Sequence, residues 1–193
     1  MEHSFRAWAE SGLCEEAAWP YDELGRTRVD RDPPEHCHIT ARHSRPIPRP
    51  LRAPDGAGLL DLARRSIALG IPVGVEIRLC PSISMSLLNG GVIPVQLPTE
   101  QSVGPHVVLL TGYDDEADTA PYDRGTGSGA FRVRNSWGAG WGVQGYGLLP
   151  YPSSNSNSLA RTGLSWKRTD RNSECGSSGK LSFRPASTKE SSQ

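Results

Sequence analysis

Apolar and polar residues recur with two different periods along this chain, and the change of period falls near residue 70. Before it the spacing is helical. Phe5, Trp8 and Ala9, with Leu13 four further on and Gly12 as a stop, predict a short helix near 2–11. The run "GLLDLARRSIALG" sets Leu59, Leu60, Ala63 and Ile67 on one face and ends at Gly70, which predicts a second helix. After it the period is two. In "IPVGVEIRL" the residues Val73, Val75, Ile77 and Leu79 alternate with Gly74, Glu76 and Arg78, the mark of a half-buried strand. "HVVLLTGY" is a β-rich apolar run, "AFRVRN" alternates Phe131 and Val133 with Arg132 and Arg134, and "QGYGLLPY" closes the series. Helix first and strands afterwards, without a βαβ rhythm, predict an α+β domain.

Two stretches lack either period. Around "DRDPPEHCHITARHSRPIPRPLRAPDG" prolines are dense and large apolar residues few, so 23–54 is expected to be a proline-rich connector on the surface. Residues 152–193 hold all three lysines and are rich in Ser, Asn and Thr, and are expected to be a disordered tail. This leaves 1–22 and 55–151 as the ordered parts.

Charge and cysteine content narrow the function classes. With 21 basic and 21 acidic residues the net charge is zero, so neither nucleic acid nor a membrane surface is expected as a partner. No apolar stretch approaches the roughly 18 residues of a membrane span, and "MEHSFRAWAESGLCEE" lacks the pattern of an export signal, which favours the cytoplasm. Cys14, Cys37, Cys80 and Cys175 show no CxxC spacing. His36, Cys37, His38 and His43 cluster in "EHCHITARH" but lack a second ligand pair, so a solvated loop is expected there and no metal or cofactor is assigned.

The stretch "NSWGAGWGVQGY", residues 135–146, carries the most specific chemistry. Its Gly140, Gly142 and Gly145 match the dinucleotide pattern GxGxxG, but "YGLLPYP" follows, a strand where a pyrophosphate site needs a helix N-terminus. Alternation places Asn135 on the face of Val133 and Phe131, beside Trp137. Upstream, His106 opens a strand with Val108 and Leu110 on its face. A histidine opening one strand and an asparagine closing a neighbour meet in an antiparallel sheet. The amide oxygen then fixes the imidazole tautomer and aims the other nitrogen outward as a base. A serine hydrolase is disfavoured, because there is no GxSxG elbow and Ser102 and Ser136 lack an orienting context.

"GPHVVLLTGYDDE" followed by "FRVRNSWGAGWGVQGYGLLPY" closely resembles the C-terminal half of papain-like (C1) cysteine peptidases, particularly bacterial members. "LLDLARRSIALGIPVGVEI" resembles the helix and strand that precede the histidine strand, and "WAESGLCEEAAWPYD" the segment crossing between the lobes. The resemblance covers about 2–22 and 55–151. It implies a papain-like fold, with 1–22 a remnant of the helical lobe and 55–151 the antiparallel barrel lobe. It also implies a hydrolase acting in proteolysis through a Cys-His-Asn site. In that reading His106 is the general base and Asn135 its orienter; Trp137 shields their hydrogen bond, and Gly138, Trp141 and Gly142 complete the block. The expected partner is a peptide or protein substrate, with association through an uncovered barrel face.

The resemblance also shows a gap. The family's nucleophile sits in a C-G-[SA]-C-[WY] context about 130–150 residues before its His and Asn, a position that falls ahead of Met1. No cysteine of the chain has that context: Cys14 matches a non-catalytic position and Cys80 lies much too near His106. The glutamine of the family's oxyanion hole is absent from the sequence as well. The expectation is therefore a peptidase fragment, inactive alone; the alternative is a catalytically silent homologue that binds peptides or proteins. Two departures accompany the gap. Pro105 stands in the usual Gly-His-Ala-Val region, and "EADTAPYDRGTGSG" is a long loop expected to extend a hairpin away from the site.

Overall fold

The structure is a computed structural model that describes residues 2–20, 31–45, 47–120, 122–123, 129–151 and 159–167. Three helices are present among them: α1 (Glu2–Ser11), α2 (Glu35–His43) and α3 (Gly56–Ala68). The strands are β1 (Ile47–Arg52), β2 (Val73–Leu79), β3 (Gly104–Asp114), β4 (Ala130–Arg134), β5 (Tyr146–Pro150) and β6 (Leu159–Lys167), with a 3₁₀ helix at Pro81–Leu87. All six strands form one sheet in the order β1-β6-β2-β3-β4-β5, and every neighbouring pair is antiparallel. The chain is α+β, as the change of period predicts.

Helix α3 starts where Asp55 is extended and its carboxylate accepts the Gly58 N–H at 2.8 Å, a cap worth about 1 kcal/mol. It ends as Gly70 takes φ 75°, and the Gly70 N–H donates to Ile67 O at 2.8 Å. Its apolar stripe lies across β1, β2, β3 and β6. Leu59 and Ala63 are buried there against Val73, Val75 and Ile77 of β2, Val108 and Leu110 of β3, and Phe131 and Val133 of β4. One helical stripe and the alternate positions of three strands thus build a single core. Leu60 and Ile67 pack at its margin. Completely burying Leu59 contributes about 2 kcal/mol.

Two expectations are corrected. Within 23–54, residues 35–43 form a helix and 47–52 a strand, so this is not simply a connector. The helix forms because Pro33 and Pro34 precede it, where a missing N–H costs nothing, and Cys37 and Ala41 at i, i+4 turn inward. Prolines 48 and 50 are compatible with β1 because β1 is an edge strand and has a partner, β6, on one side only. In the expected tail, 159–167 is a strand between β1 and β2; "LSWK" within it alternates apolar and polar residues, the pattern of a strand. Residues 23–30, 46, 152–158 and 168–193 of these two stretches lie outside the described residues. No described helix is long and apolar enough to cross a membrane.

Strands β3 and β4 pair with each other, Asp114 opposite Ala130, so their connection turns at the end of β3 remote from His106. That is roughly 26 Å of strand away. Residues 121 and 124–128 of this connection are outside the described set.

Candidate active site

From Gly104 to Val108 strand β3 pairs with β2 alone, with Ile77 opposite His106; β4 joins only at Leu109, opposite Arg134. One edge of β3 is therefore open where His106 sits. Pro105 is accommodated because a strand with one neighbour can spare an N–H. Asn135 follows the last residue of β4, inward on the face of Val133, and is 5% exposed. Its own N–H donates to Gly145 O at 3.1 Å, which fixes the turn of the glycine-rich block against the end of β4.

The structure brings His106 and Asn135 together: His106 Nε2 lies 2.9 Å from Asn135 Oδ1. The neighbouring Ser136 N–H donates to the same oxygen at 2.8 Å. A backbone N–H can only donate, so the atom it meets is the amide oxygen rather than the nitrogen. An oxygen that accepts from Ser136 requires Nε2 of the imidazole to be the donor. Nδ1 then carries the lone pair, and it has no partner among the described residues. The asparagine thus sets both the plane and the tautomer of the histidine. Asn135 Nδ2 is buried without a hydrogen-bond partner among the described residues.

Trp137 lies over the imidazole, ring centroids 5.0 Å apart and planes within 28°. It is 40% exposed. Trp141 meets Trp137 edge-on at 5.7 Å and is itself buried. Its Nε1–H donates to Ser86 Oγ at 3.0 Å, and the Ser86 hydroxyl donates to Ile83 O at 2.7 Å. Buried indole and hydroxyl are both satisfied, so the platform costs nothing in stranded polar groups. Gly138 accepts the Trp141 N–H at 3.4 Å. Gly142 is at φ 58°, and a Cβ there would meet Tyr146 O at 2.2 Å, so only glycine fits. Gly147 is as constrained: a Cβ would lie 2.5 Å from Trp141 Cη2. Ser86 and Gly147 were not legible as supports. Ser86 is one of several serines in "PSISMSLLNGG" and meets Trp141 only through the fold.

No hydrogen bond joins a thiol to His106 among the described residues. Cys80 is buried at the end of β2; burial, then the charge of Glu100, pushes its thiol up against a smaller opposing pull from Arg78. A nucleophilic thiol needs the opposite shift. Cys14 and Cys37 belong to the α1–α2 region, and Cys175 lies outside the described residues. Ser102 Oγ donates to Leu79 O at 3.1 Å and has no bond to the imidazole. The expected loop around His36, His38 and His43 is helix α2, with these imidazoles exposed while Cys37 points inward. Among the described residues no three His, Cys, Asp or Glu side chains are grouped to hold a metal ion.

The model of the papain family cysteine proteases matches residues 1–165. The chain belongs to that family. It is 26% identical over 145 residues to an uncharacterized peptidase C1-like protein of Acanthamoeba polyphaga mimivirus, covering 72% of this chain and 42% of the viral one. With mouse cathepsin O it shares 42% identity over 57 residues, 30% of this chain and 15% of that protein. Among solved structures, xylellain, a cysteine protease from Xylella fastidiosa, aligns with a TM-score of 0.59 at 22% identity, over 85% of this chain and 60% of that one. Digestive procathepsin L 3 of Tenebrio molitor aligns with a TM-score of 0.57 at 24% identity, over 85% of this chain and 47% of that one. At those identities the structural likeness establishes the fold, which is papain-like. The chain spans less than two thirds of each of these relatives.

Proposed function

We propose that this chain furnishes the histidine–asparagine half of a Cys-His-Asn peptidase site and that the nucleophilic cysteine comes from outside these 193 residues. The observation that carries it is the 2.9 Å contact of His106 Nε2 with an Asn135 oxygen that Ser136 identifies as the acceptor. With Nδ1 free, His106 is the general base: it takes the proton of a thiol placed on its open side, leaving a thiolate beside an imidazolium. The thiolate attacks the peptide carbonyl, the imidazolium returns its proton to the leaving amine, and water then cleaves the thioester with His106 again as base. Asn135 holds the ring in register for both transfers, and Trp137 keeps water from the hydrogen bond that does so. Trp137, stacked on His106 and 40% exposed, gives the apolar ground beside the imidazole on which a peptide substrate rests.

The coverage of relatives supports this division, since the chain spans 42% of the viral protein and 60% of xylellain. Among the described residues no thiol is hydrogen-bonded to His106, and positioning alone leaves little rate enhancement. The test is to assay the 193-residue chain, and a version completed with a family nucleophile region, on a generic peptide substrate with and without a thiol-directed epoxide. Turnover that the epoxide blocks is expected only in the completed form. The same behaviour in the chain alone would overturn the proposal. A second reading, a silent homologue that binds peptides or proteins, rests on the absence of a family-context cysteine from the sequence. Peptide binding without turnover in the completed form would favour it.

A further inference from the structure

Three consecutive residues leaving α1 run across one face of α2. Gly12, at φ 83°, lies so close that a Cβ on it would come within 1.8 Å of Ala41 O. The Leu13 N–H donates to Ser44 O at 3.2 Å. The next residue, Cys14, lies near enough to Cys37 for its side chain to raise the Cys37 thiol. Cys37, Ala41 and Ser44 stand at i, i+4 and i+7, so a single stripe of α2 and its C-cap receives all three. Cys37 is 1% exposed in the first turn of the helix, whereas Cys14 is half-buried and open to a reagent. Neither residue takes part in the His106 site. Two neighbouring thiols, one reachable and one behind it on the face of α2 that Gly12 and Leu13 pack against, have the arrangement of an attacking and a resolving cysteine.

We propose that Cys14 and Cys37 are a modification site, a dithiol that closes to an intramolecular disulfide on meeting a small-molecule disulfide and cross-links the end of α1 to the first turn of α2. With glutathione disulfide as oxidant, the Cys14 thiolate attacks one sulfur. The S–S bond of the reagent breaks, and one glutathione leaves as a thiolate that takes up a proton. Cys37 then gives its proton to solvent and attacks the Cys14 sulfur of the mixed disulfide, releasing the second glutathione. The balance is two protein thiols oxidised to one disulfide and one glutathione disulfide reduced to two thiols. Order follows exposure, since only Cys14 is open to the reagent. The hydrogen bond with Cys14, then burial, then the charge of a Cys14 thiolate push the Cys37 thiol up to about 11. In the mixed disulfide burial persists, so the second step is the slow one and quickens about tenfold from pH 7 to 8 as the thiolate fraction grows.

The experiment uses the whole chain, reduced and then exposed to glutathione disulfide, quenched with an alkylating reagent and weighed intact and after trypsin. Arg26, Arg28 and Arg31 lie between the two cysteines, so trypsin leaves their peptides joined only by the disulfide. The expected product is a chain about 2 Da lighter than the reduced form, with the Cys14 and Cys37 peptides linked, Cys80 alkylated, and the link lost to dithiothreitol. In Cys37→Ser the glutathione adduct on Cys14 should persist. An adduct on Cys14 in the unmodified chain that does not resolve at pH 8 would overturn the proposal. So would two freely alkylated thiols, or pairing of Cys14 with Cys80 or Cys175 in comparable yield. The wild-type readout stands whether or not the serine variant folds.

Discussion

The two ends of β3 each have a strand on one side only, and they treat the other side differently. At the far end β4 is the neighbour, and Arg64 of α3 packs against the aromatic rings there. Its guanidinium lies over Tyr113 at 5.2 Å and Tyr151 at 5.9 Å and pairs with Asp115, which also accepts from Tyr151 Oη at 2.6 Å. At the near end β2 is the neighbour, and the uncovered side holds His106, with one nitrogen held by Asn135 and the other without a partner among the described residues. One end ties Arg64, Asp115 and Tyr151 to one another, with only Arg64 Nε of that group buried without a hydrogen-bond partner among the described residues. The other leaves Nδ1 of His106 without a partner among the described residues, the feature on which its proposed role as a base rests.

That contrast can be broken at several points. The largest effect is expected from Trp141→Ala, which removes the buried platform under the open end and leaves Ser86 without its indole; it should cost about 3–5 kcal/mol in urea unfolding. A loss under about 1 kcal/mol would show that Trp141 is not the floor of the site. Asn135→Ala should come next. In the completed peptidase kcat/KM should fall about 10–100-fold, as for other residues that orient a working imidazole. In the chain alone, nitrogen-15 shifts of the His106 ring should move from a single Nε2–H tautomer to a mixture, and unchanged shifts would refute the assignment.

At the far end, Tyr151→Phe removes the bond to Asp115 and should cost about 1 kcal/mol. It also has a pH signature. Burial first, and the hydrogen bond to Asp115 second, hold the Tyr151 hydroxyl well above the ordinary tyrosine range. A phenol whose folded pKa is raised lends its full stability below the unfolded value near 10 and loses it as pH climbs toward the folded value. Stability should therefore fall less steeply between about pH 10 and 11 in Tyr151→Phe than in the parent. Equal slopes would remove Tyr151 from the alkaline arm. The smallest effect concerns Gln144, which sits at φ 55° in the turn before β5. Replacing it with glycine relieves a left-handed cost of about 1–2 kcal/mol and adds about 0.4–1 of unfolded-state entropy, for a net gain of roughly 0.5 kcal/mol in thermal unfolding.

Legibility followed locality. Helix α3 was readable because Asp55, its stripe and Gly70 are adjacent in sequence, and β2 because Val73, Val75 and Ile77 share one face with no intruder. The pairing of His106 with Asn135 could be anticipated because each closes or opens an alternating run, so two short-range patterns implied one long-range contact. Helix α2 was hidden by composition: three histidines and the preceding Pro33–Pro34 mask the two inward residues, Cys37 and Ala41, that justify it. Strand β1 was hidden because prolines 48 and 50 are breakers anywhere except at an edge, and edge status is a property of the sheet. Strand β6 required knowing that β2 offers a free side. Ser86 had no signal of its own, since its partner Trp141 lies 55 residues away.

The place of β6 bears on how the chain is made. It pairs with β1 across 120 residues, Ile47 with Lys167, and separates β1 from β2, which precede it in the sequence. During synthesis at about 5–20 residues per second, the side of β2 that β6 will occupy waits roughly 4–16 s between the appearance of Leu79 and that of Leu159. Throughout that interval the nascent sheet shows a bare row of strand hydrogen-bonding groups, the kind of surface that recruits a second nascent chain. The half of the sheet carrying His106 and Asn135 needs nothing from β6 to pair, so the site can be assembled on the ribosome before the sheet is closed. Non-local closure of this kind is slow, and chaperone demand in the cell should centre on the last strand to arrive.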